Sequence, residues 1–173
     1  LGKGQLAEAE ETFQKGLALQ VPHKPIQTFH MFGLANVALA RGDWQEAIDQ
    51  FQSTITNNHT LEPIAKSGLS VAYLALGEKE TALQHSAKAV ELLEEAGMIS
   101  EFHSQEIWLR HFLILKALDR SDAFDALHQA KEVMLSQIET LSDEGLRRNY
   151  LNKVPANRDI TLTWVNEAAQ RDI

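Results

Sequence analysis

The stretch that decides the fold is residues 25–55, PIQTFHMFGLANVALARGDWQEAIDQFQSTI. Residues 25–41 are apolar on nearly every side, which is typical of a helix covered by neighbours on several faces. After Gly42, apolar residues recur at three- and four-residue steps: Trp44, Ala47, Ile48, Phe51 and Ile55. This period predicts a second helix with one buried face. Gly42 itself fits a left-handed residue that ends the first helix, because glycine adopts that conformation without steric cost.

This arrangement recurs along the chain. In three places a glycine is followed five residues later by an alanine: Gly4 and Ala9, Gly42 and Ala47, Gly77 and Ala82. A degenerate fourth copy places Ser121 and Ala126 in these roles, 44 residues after the third alanine. Recurrence at 35 to 44 residues is the signature of stacked helix pairs, so the sequence predicts an α-solenoid.

The remaining sequence predicts helices as well. Further helical segments are expected near Glu62–Leu76, Lys79–Glu95, Ser100–Leu118 and Asp122–Thr140. Their connections are short and polar, so consecutive helices should be antiparallel neighbours. No sustained period-two alternation or hairpin turn occurs, and the fold class is therefore predicted to be all-α.

After residue 140 the pattern changes. Ser142 is the expected N-cap of a helix that reaches about Asn152, and Pro155 should stop this helix near Val154. A last helix is expected over residues 156–169. Because a solenoid needs an atypical terminal unit with a polar outer side, residues 141–173 are predicted to form a C-terminal helical cap.

The repeated residues resemble the tetratricopeptide repeat. The first helix of that repeat carries a bulky-small pair, as at Leu34-Ala35 and Leu69-Ser70, and the second carries Ala-x-x-x-Phe, as at Ala47 and Phe51. Ala9 and Phe13 match only the second helix, so the first repeat lacks its first helix. The resemblance implies a right-handed α-solenoid of antiparallel helix pairs in residues 1–140. Since the sequence begins at Leu1 without methionine, we expect a fragment of a longer chain.

Two short segments carry a second resemblance. Residues 146–151, LRRNYL, and residues 154–160, VPANRDI, are similar to the segment that closes such repeat arrays in large bacterial multidomain proteins. This similarity implies a role in signal transduction or transcription control, with residues 141–173 linking the repeats to a downstream module.

Composition excludes several classes of function. The chain has 16 Lys+Arg against 24 Asp+Glu, a net charge of −8, which opposes direct binding to nucleic acid. It contains no cysteine, which excludes disulfides and thiolate chemistry and fits a reducing compartment, so a cytoplasmic location is expected. No apolar run approaches the roughly 18 residues of a membrane span, and no membrane partner is expected.

Catalytic chemistry has one candidate. His103, Glu106 and His111 could share one helix face, where imidazoles and a carboxylate can bind a metal ion. Neither an HExxH motif nor a second ligand pair accompanies them. We therefore predict no catalytic residue, no cofactor and no metal, with a metal-dependent enzyme as the alternative.

A surface is the better functional candidate. In the repeat family, ligands lie along the concave face formed by the first helix of each unit. By alignment this groove contains Phe29, Phe32, Asn36, Leu39, Ile64, Ser67, Val71, Leu74, Trp108, His111 and Leu115. So many apolar side chains on one face require a cover: a protein or peptide partner, another domain of the chain, or the curvature of the solenoid. A further alternative is self-association through the exposed repeat end at Leu1.

Overall fold

The computed structural model describes residues 3–19, 24–96 and 103–171. Its helices are α1 (Lys3–Ala18), α2 (Lys24–Arg41), α3 (Trp44–Asn57), α4 (Glu62–Ala75), α5 (Lys79–Ala96), α6 (Ser104–Ala117), α7 (Ala123–Thr140), α8 (Glu144–Lys153) and α9 (Pro155–Gln170). A 3-10 turn at His59–Leu61 precedes α4. No strand occurs in these three ranges, so the predicted all-α class is confirmed for them. The expected start of α6 at Ser100 lies outside the described residues.

The chain forms two compact units, residues 1–92 and residues 93–173, with the boundary inside α5. In unit 1, α1 packs on α2, α2 on α3 and α3 on α4, and α2 also contacts α4. In unit 2, α6 and α7 pack on each other and on α9, while α8 contacts α7 and α9. The predicted division into repeats and cap at residue 140 stays a prediction.

The core of unit 1 joins α2, α3 and α4. Its fully buried members are small except for a few bulky side chains: Ala35, Ala38, Ala47, Ile48, Phe51, Ala65, Leu69 and Ala72. Phe51 lies directly on Gly68, where a β-carbon would come within 2.3 Å of the ring atom Cζ. Phe13 lies on Gly33 in the same way, at 2.5 Å from ring atom Cε1. Glycine thus lets an aromatic ring of one helix contact the backbone of the next helix in both repeats.

The repeat turns have the predicted backbone. Gly42 and Gly77 have φ angles of 85° and 82°. The amide of the following residue donates to the carbonyl oxygen five residues back, from Asp43 to Ala38 at 3.0 Å and from Glu78 to Tyr73 at 2.9 Å. These bonds satisfy carbonyls that the helix end would otherwise leave unpaired.

The turn of the fourth repeat corrects the alignment. Its left-handed residue is Asp119, with φ 54°, and not Ser121. The Arg120 amide donates to the Leu115 carbonyl oxygen at 3.0 Å, as in the other turns. Ala126 is still the fourth residue of its helix, as Ala47 and Ala82 are of theirs. The turn is therefore two residues longer here, and aspartate, which tolerates this conformation, replaces glycine.

Gly4 departs from the expected setting as well, because it lies within α1 and has no positive φ.

Substitution by alanine should therefore have opposite effects on stability at Gly77 and Gly4. At both positions an added β-carbon would meet open space. Gly77→Ala should lower the free energy of unfolding by about 1 kcal/mol, because alanine is strained at this φ. Gly4→Ala should cause no loss and a gain of up to about 1 kcal/mol. Urea denaturation measures both, and a loss at Gly4 would contradict its helical placement.

The C-terminal helices meet as predicted at Pro155. Val154 is extended and Pro155 occupies the first turn of α9, so proline separates α8 from α9. The N-cap of α8 is Asp143, not Ser142: the Asp143 carboxylate accepts the Leu146 amide at 2.9 Å. The carboxylate also interacts favourably with the helix dipole, an advantage that a serine hydroxyl lacks.

A buried polar network joins α6, α8 and α9 in unit 2. The Gln105 amide nitrogen donates to the Tyr150 hydroxyl at 2.8 Å and to Asn157 Oδ1 at 2.7 Å. Asn157 Nδ2 in turn donates to the Tyr150 carbonyl oxygen at 2.9 Å. The Tyr150 hydroxyl also donates to Gln137 of α7. Because buried polar groups need such partners, this network specifies how the last helices pack.

Candidate protein-binding surface

Three of the predicted groove residues meet in one pocket of unit 1. Phe29, Phe32 and Asn36 of α2 line a cavity of about 530 Å³. We call it the α1–α2 pocket; its other lining residues are Leu6, Ala9, Phe13, His30, Gly33, Val37 and Ala40. Phe29 is 41% exposed, although burying a large aromatic side chain is energetically favourable. This arrangement presents an apolar concave surface whose lining includes one amide side chain, that of Asn36.

The two polar groups at this pocket are held by packing and hydrogen bonding. Asn36 Nδ2 donates to the Phe32 carbonyl oxygen at 2.8 Å, within the same helix. The His30 ring lies 6.2 Å from the Phe13 ring, between centroids. Arg41, the last residue of α2, pairs with Glu10 in the middle of α1, and the hydrogen bond from Arg41 lowers the pKa of Glu10. The walls of the pocket are thus tied together by an ion pair.

On α4 the predicted groove is only partly accessible. Ile64 and Ser67 are 3% and 1% exposed, so they cannot line an open groove. The physical reason is that α4 is packed by both α2 and α3. Val71 and Leu74 are half-buried on the same helix. Leu39 of α2, also half-buried, packs against the core of unit 1.

The remaining predicted residues belong to α6 in unit 2. Leu115 is buried in this unit and is not available to a ligand. Trp108 and His111 are half-buried, with ring centroids 6.3 Å apart in an edge-to-face arrangement. Burial lowers the pKa of His111, against the opposing influence of Asp122. His111 is therefore neutral at physiological pH and adds aromatic rather than charged surface.

The residues of the metal hypothesis do not converge. His103 precedes α6 and its ring faces the Tyr150 ring, 5.8 Å away between centroids. Glu106 pairs with Arg110 at 2.5 Å, and His111 packs on Trp108. In the part of the chain that the structure describes, no group of three His, Asp or Glu side chains is placed to hold a metal ion. No observation favours metal-dependent catalysis.

A second pocket lies between α6 and α9, with a volume of about 560 Å³. Its lining is mixed, with Leu113 beside Thr163 and Asn166, and an ion pair between Lys116 and Glu167 spans it. Because this ion pair already satisfies its charged groups, the pocket is a weaker candidate than the α1–α2 pocket.

Sequence reasoning missed the contribution of α1. Leu6, Ala9 and Phe13 form one wall of the α1–α2 pocket, but the predicted groove contained only first helices. A signal was present: Gly33 and Gly68 are 35 residues apart, the same spacing as Gly42 and Gly77. Read together with Phe13 and Phe51, this spacing indicates that the aromatic rings of α1 and α3 each lie on the following helix.

Comparison with known families agrees with the repeat pattern. A family model of the tetratricopeptide repeat matches the chain over residues 1–57 and again over residues 32–96. The two matches together span more than half of the chain and contain both walls of the α1–α2 pocket. No curated protein matches the sequence at a significant level. Among the described helices, none combines the length and apolar character needed to cross a membrane.

Proposed function

Because the chain belongs to the tetratricopeptide repeat family, whose repeats generally mediate protein–protein interaction, we propose that it is a non-catalytic protein-binding module that holds its partner at the α1–α2 pocket. The observation that carries this proposal is the exposure of Phe29 beside Phe32 in an apolar concavity. Large aromatic side chains at such a place dominate interface energies, since they bury much area at low entropic cost.

The net charge of −8 supports a protein partner over nucleic acid. The absence of cysteine supports a cytoplasmic setting. We place the module in a larger bacterial regulatory protein, on the resemblance of residues 146–151 and 154–160 to array-closing segments. Tyr150 and Asn157, one from each segment, share the buried network of unit 2, which supports a capping role for residues 141–173.

The test is a selection of displayed random peptides against the intact chain, followed by calorimetry. We expect Phe29→Ala to weaken binding of the selected peptides by about tenfold or more, as loss of an aromatic anchor does. Leu76→Ala is the matched control, because Leu76 is 44% exposed in the same unit and lies outside the pocket. Its affinity should stay within about twofold of the parent chain. Equal binding by the parent chain and Phe29→Ala would contradict the proposed site.

A further inference from the structure

Helix α8 lies between α7 and α9 in unit 2 but buries none of its own residues. By contrast, α6, α7 and α9 each bury at least three residues. Leu146 of α8 is 53% exposed, and Tyr150 and Leu151 are half-buried. Since burial of apolar surface is the main favourable contribution to folding, the rest of unit 2 stabilises α8 less than it stabilises the other helices.

The sequence of α8 does not make a stable helix by itself. The helix has ten residues, fewer than the about 12–15 residues below which an isolated helix is marginal in water. Gly145, Asn149 and Asn152 lie within it, and all three have low helix propensity. The helical state of α8 therefore depends on its attachment to the neighbouring helices.

Tyr150 provides this attachment. Its hydroxyl accepts a hydrogen bond from Gln105 Nε2 of α6 at 2.8 Å and donates to Gln137 of α7. Its carbonyl oxygen accepts from Asn157 Nδ2 of α9 at 2.9 Å. Within the three ranges that the structure describes, the hydrogen bonds from α8 to other helices all involve this tyrosine. One residue thus connects α8 to three helices.

The other helices of unit 2 are held together by contacts that do not involve α8. Phe124 of α7 stacks on Trp164 of α9, with ring centroids 5.0 Å apart, and Lys131 Nζ lies 4.2 Å from the Trp164 centroid. Lys116 of α6 pairs with Glu167 of α9. Because these contacts remain when Tyr150 is detached, α6, α7 and α9 can stay packed without α8.

The backbone at both ends of α8 is extended. Leu141, which follows α7, has φ −82° and ψ 122°, and Val154, which follows α8, has φ −80° and ψ 115°. Pro155 begins α9, and proline has no amide hydrogen to continue the hydrogen-bond ladder of a preceding helix. Helix α9 therefore begins independently of α8, and loss of α8 need not propagate into it.

A buried acceptor beside Tyr150 favours opening. Gln105 is 0% exposed, and among the described residues its Oε1 atom has no hydrogen-bond partner. A buried acceptor without a partner costs free energy, which water relieves when it reaches the atom. Departure of Tyr150 uncovers the Gln105 amide, so the closed state carries a cost that the open state does not.

We propose that α8 is a conformational switch of unit 2, which opens as one unit while α6, α7 and α9 stay packed. In the closed state the Tyr150 hydroxyl lies between Gln105 and Gln137. In the open state water takes its place, and the buried amides of Gln105 and Asn157 become accessible. This inference does not depend on the proposed function, which concerns unit 1.

The test is amide hydrogen exchange of the intact chain, followed by NMR at several urea concentrations below the unfolding transition. We expect the amides of residues 148–153 to share one protection factor, at least about tenfold lower than in the middle of α7 and α9. This protection should depend little on urea, because opening of α8 exposes little surface. Equal protection in α8 and α9, or loss of protection at the ends of α8 only, would overturn the inference.

A conservative variant tests the role of the hydroxyl. Tyr150→Phe keeps the ring and removes two hydrogen bonds, so α8 should exchange about fivefold faster or more, whereas α7 and α9 should stay within about twofold. Arg148→Lys is the matched control, because Arg148 is exposed on the same helix and lysine has a similar helix propensity. Its exchange in α8 should stay within about twofold of the parent chain. Unchanged exchange in Tyr150→Phe, or equal acceleration in α8 and α9, would contradict the switch.

Discussion

Phe51→Ala is expected to lower the free energy of unfolding by about 3–5 kcal/mol, the largest effect of any single substitution considered for this protein. Phe51 is 0% exposed and packs on Gly68 of α4 and, at 5.9 Å between ring centroids, on Phe32 of α2. Truncation leaves a cavity among three helices that cannot close, because Gly68 has no side chain to move into it. Urea denaturation followed by circular dichroism measures the loss.

Two comparisons make this expectation sharper. Phe13→Ala, at the corresponding position of α1, should cost about 1–2 kcal/mol, because Phe13 is only half-buried and its truncation leaves an open depression. Gln52→Ala, on the exposed side of α3, should change stability by no more than about 0.5 kcal/mol. Equal costs at Phe13 and Phe51 would contradict the difference in burial between the two rings.

The helices and turns of unit 1 could be predicted because their signals are local. A left-handed turn requires glycine or a tolerant polar residue within a few positions of the helix end, and Gly42 and Gly77 satisfy this requirement in the sequence itself. The family was predicted from the same residues, and the matches over residues 1–57 and 32–96 confirm it. Asp119 was missed because a two-residue insertion moved the turn away from the period that located the others.

The accessible part of the groove could not be predicted from residue types. Phe29 and Ile64, 35 residues apart, are both apolar, yet the structure exposes Phe29 and buries Ile64. The repeat places both residues at the same position of their helices. The repeat pattern does not indicate which of the two positions is covered by a neighbouring helix. Burial at such sites follows from the packing of neighbouring helices, so a periodic alignment overestimates the open surface at α4 and underestimates the contribution of α1.

The polar network of unit 2 had no periodic signal at all. Gln105 lies 45 residues from Tyr150 and 52 residues from Asn157, and none of the three occupies a position that repeats. Hydrogen bonds between residues so far apart in sequence depend on the tertiary structure, which periodicity does not encode. The resemblance of residues 146–151 and 154–160 to array-closing segments indicated that this region differs from the repeats. It did not indicate that Tyr150 and Asn157 form hydrogen bonds there.

Asn157→Ala tests this network and is expected to lower the free energy of unfolding by roughly 2–4 kcal/mol. Asn157 is 0% exposed, and its loss leaves the Tyr150 carbonyl oxygen without the Asn157 donor and removes one acceptor from the Gln105 amide, each costing about 1–3 kcal/mol when buried. Amide hydrogen exchange should then show faster exchange in α8 and α9 than in α3. Asn166→Ala, an exposed change on α9, is the control and should have an effect of at most about 0.5 kcal/mol. Equal exchange in the parent chain and Asn157→Ala would show that apolar packing alone holds α8 and α9, and the capping role assigned to Tyr150 and Asn157 would be withdrawn.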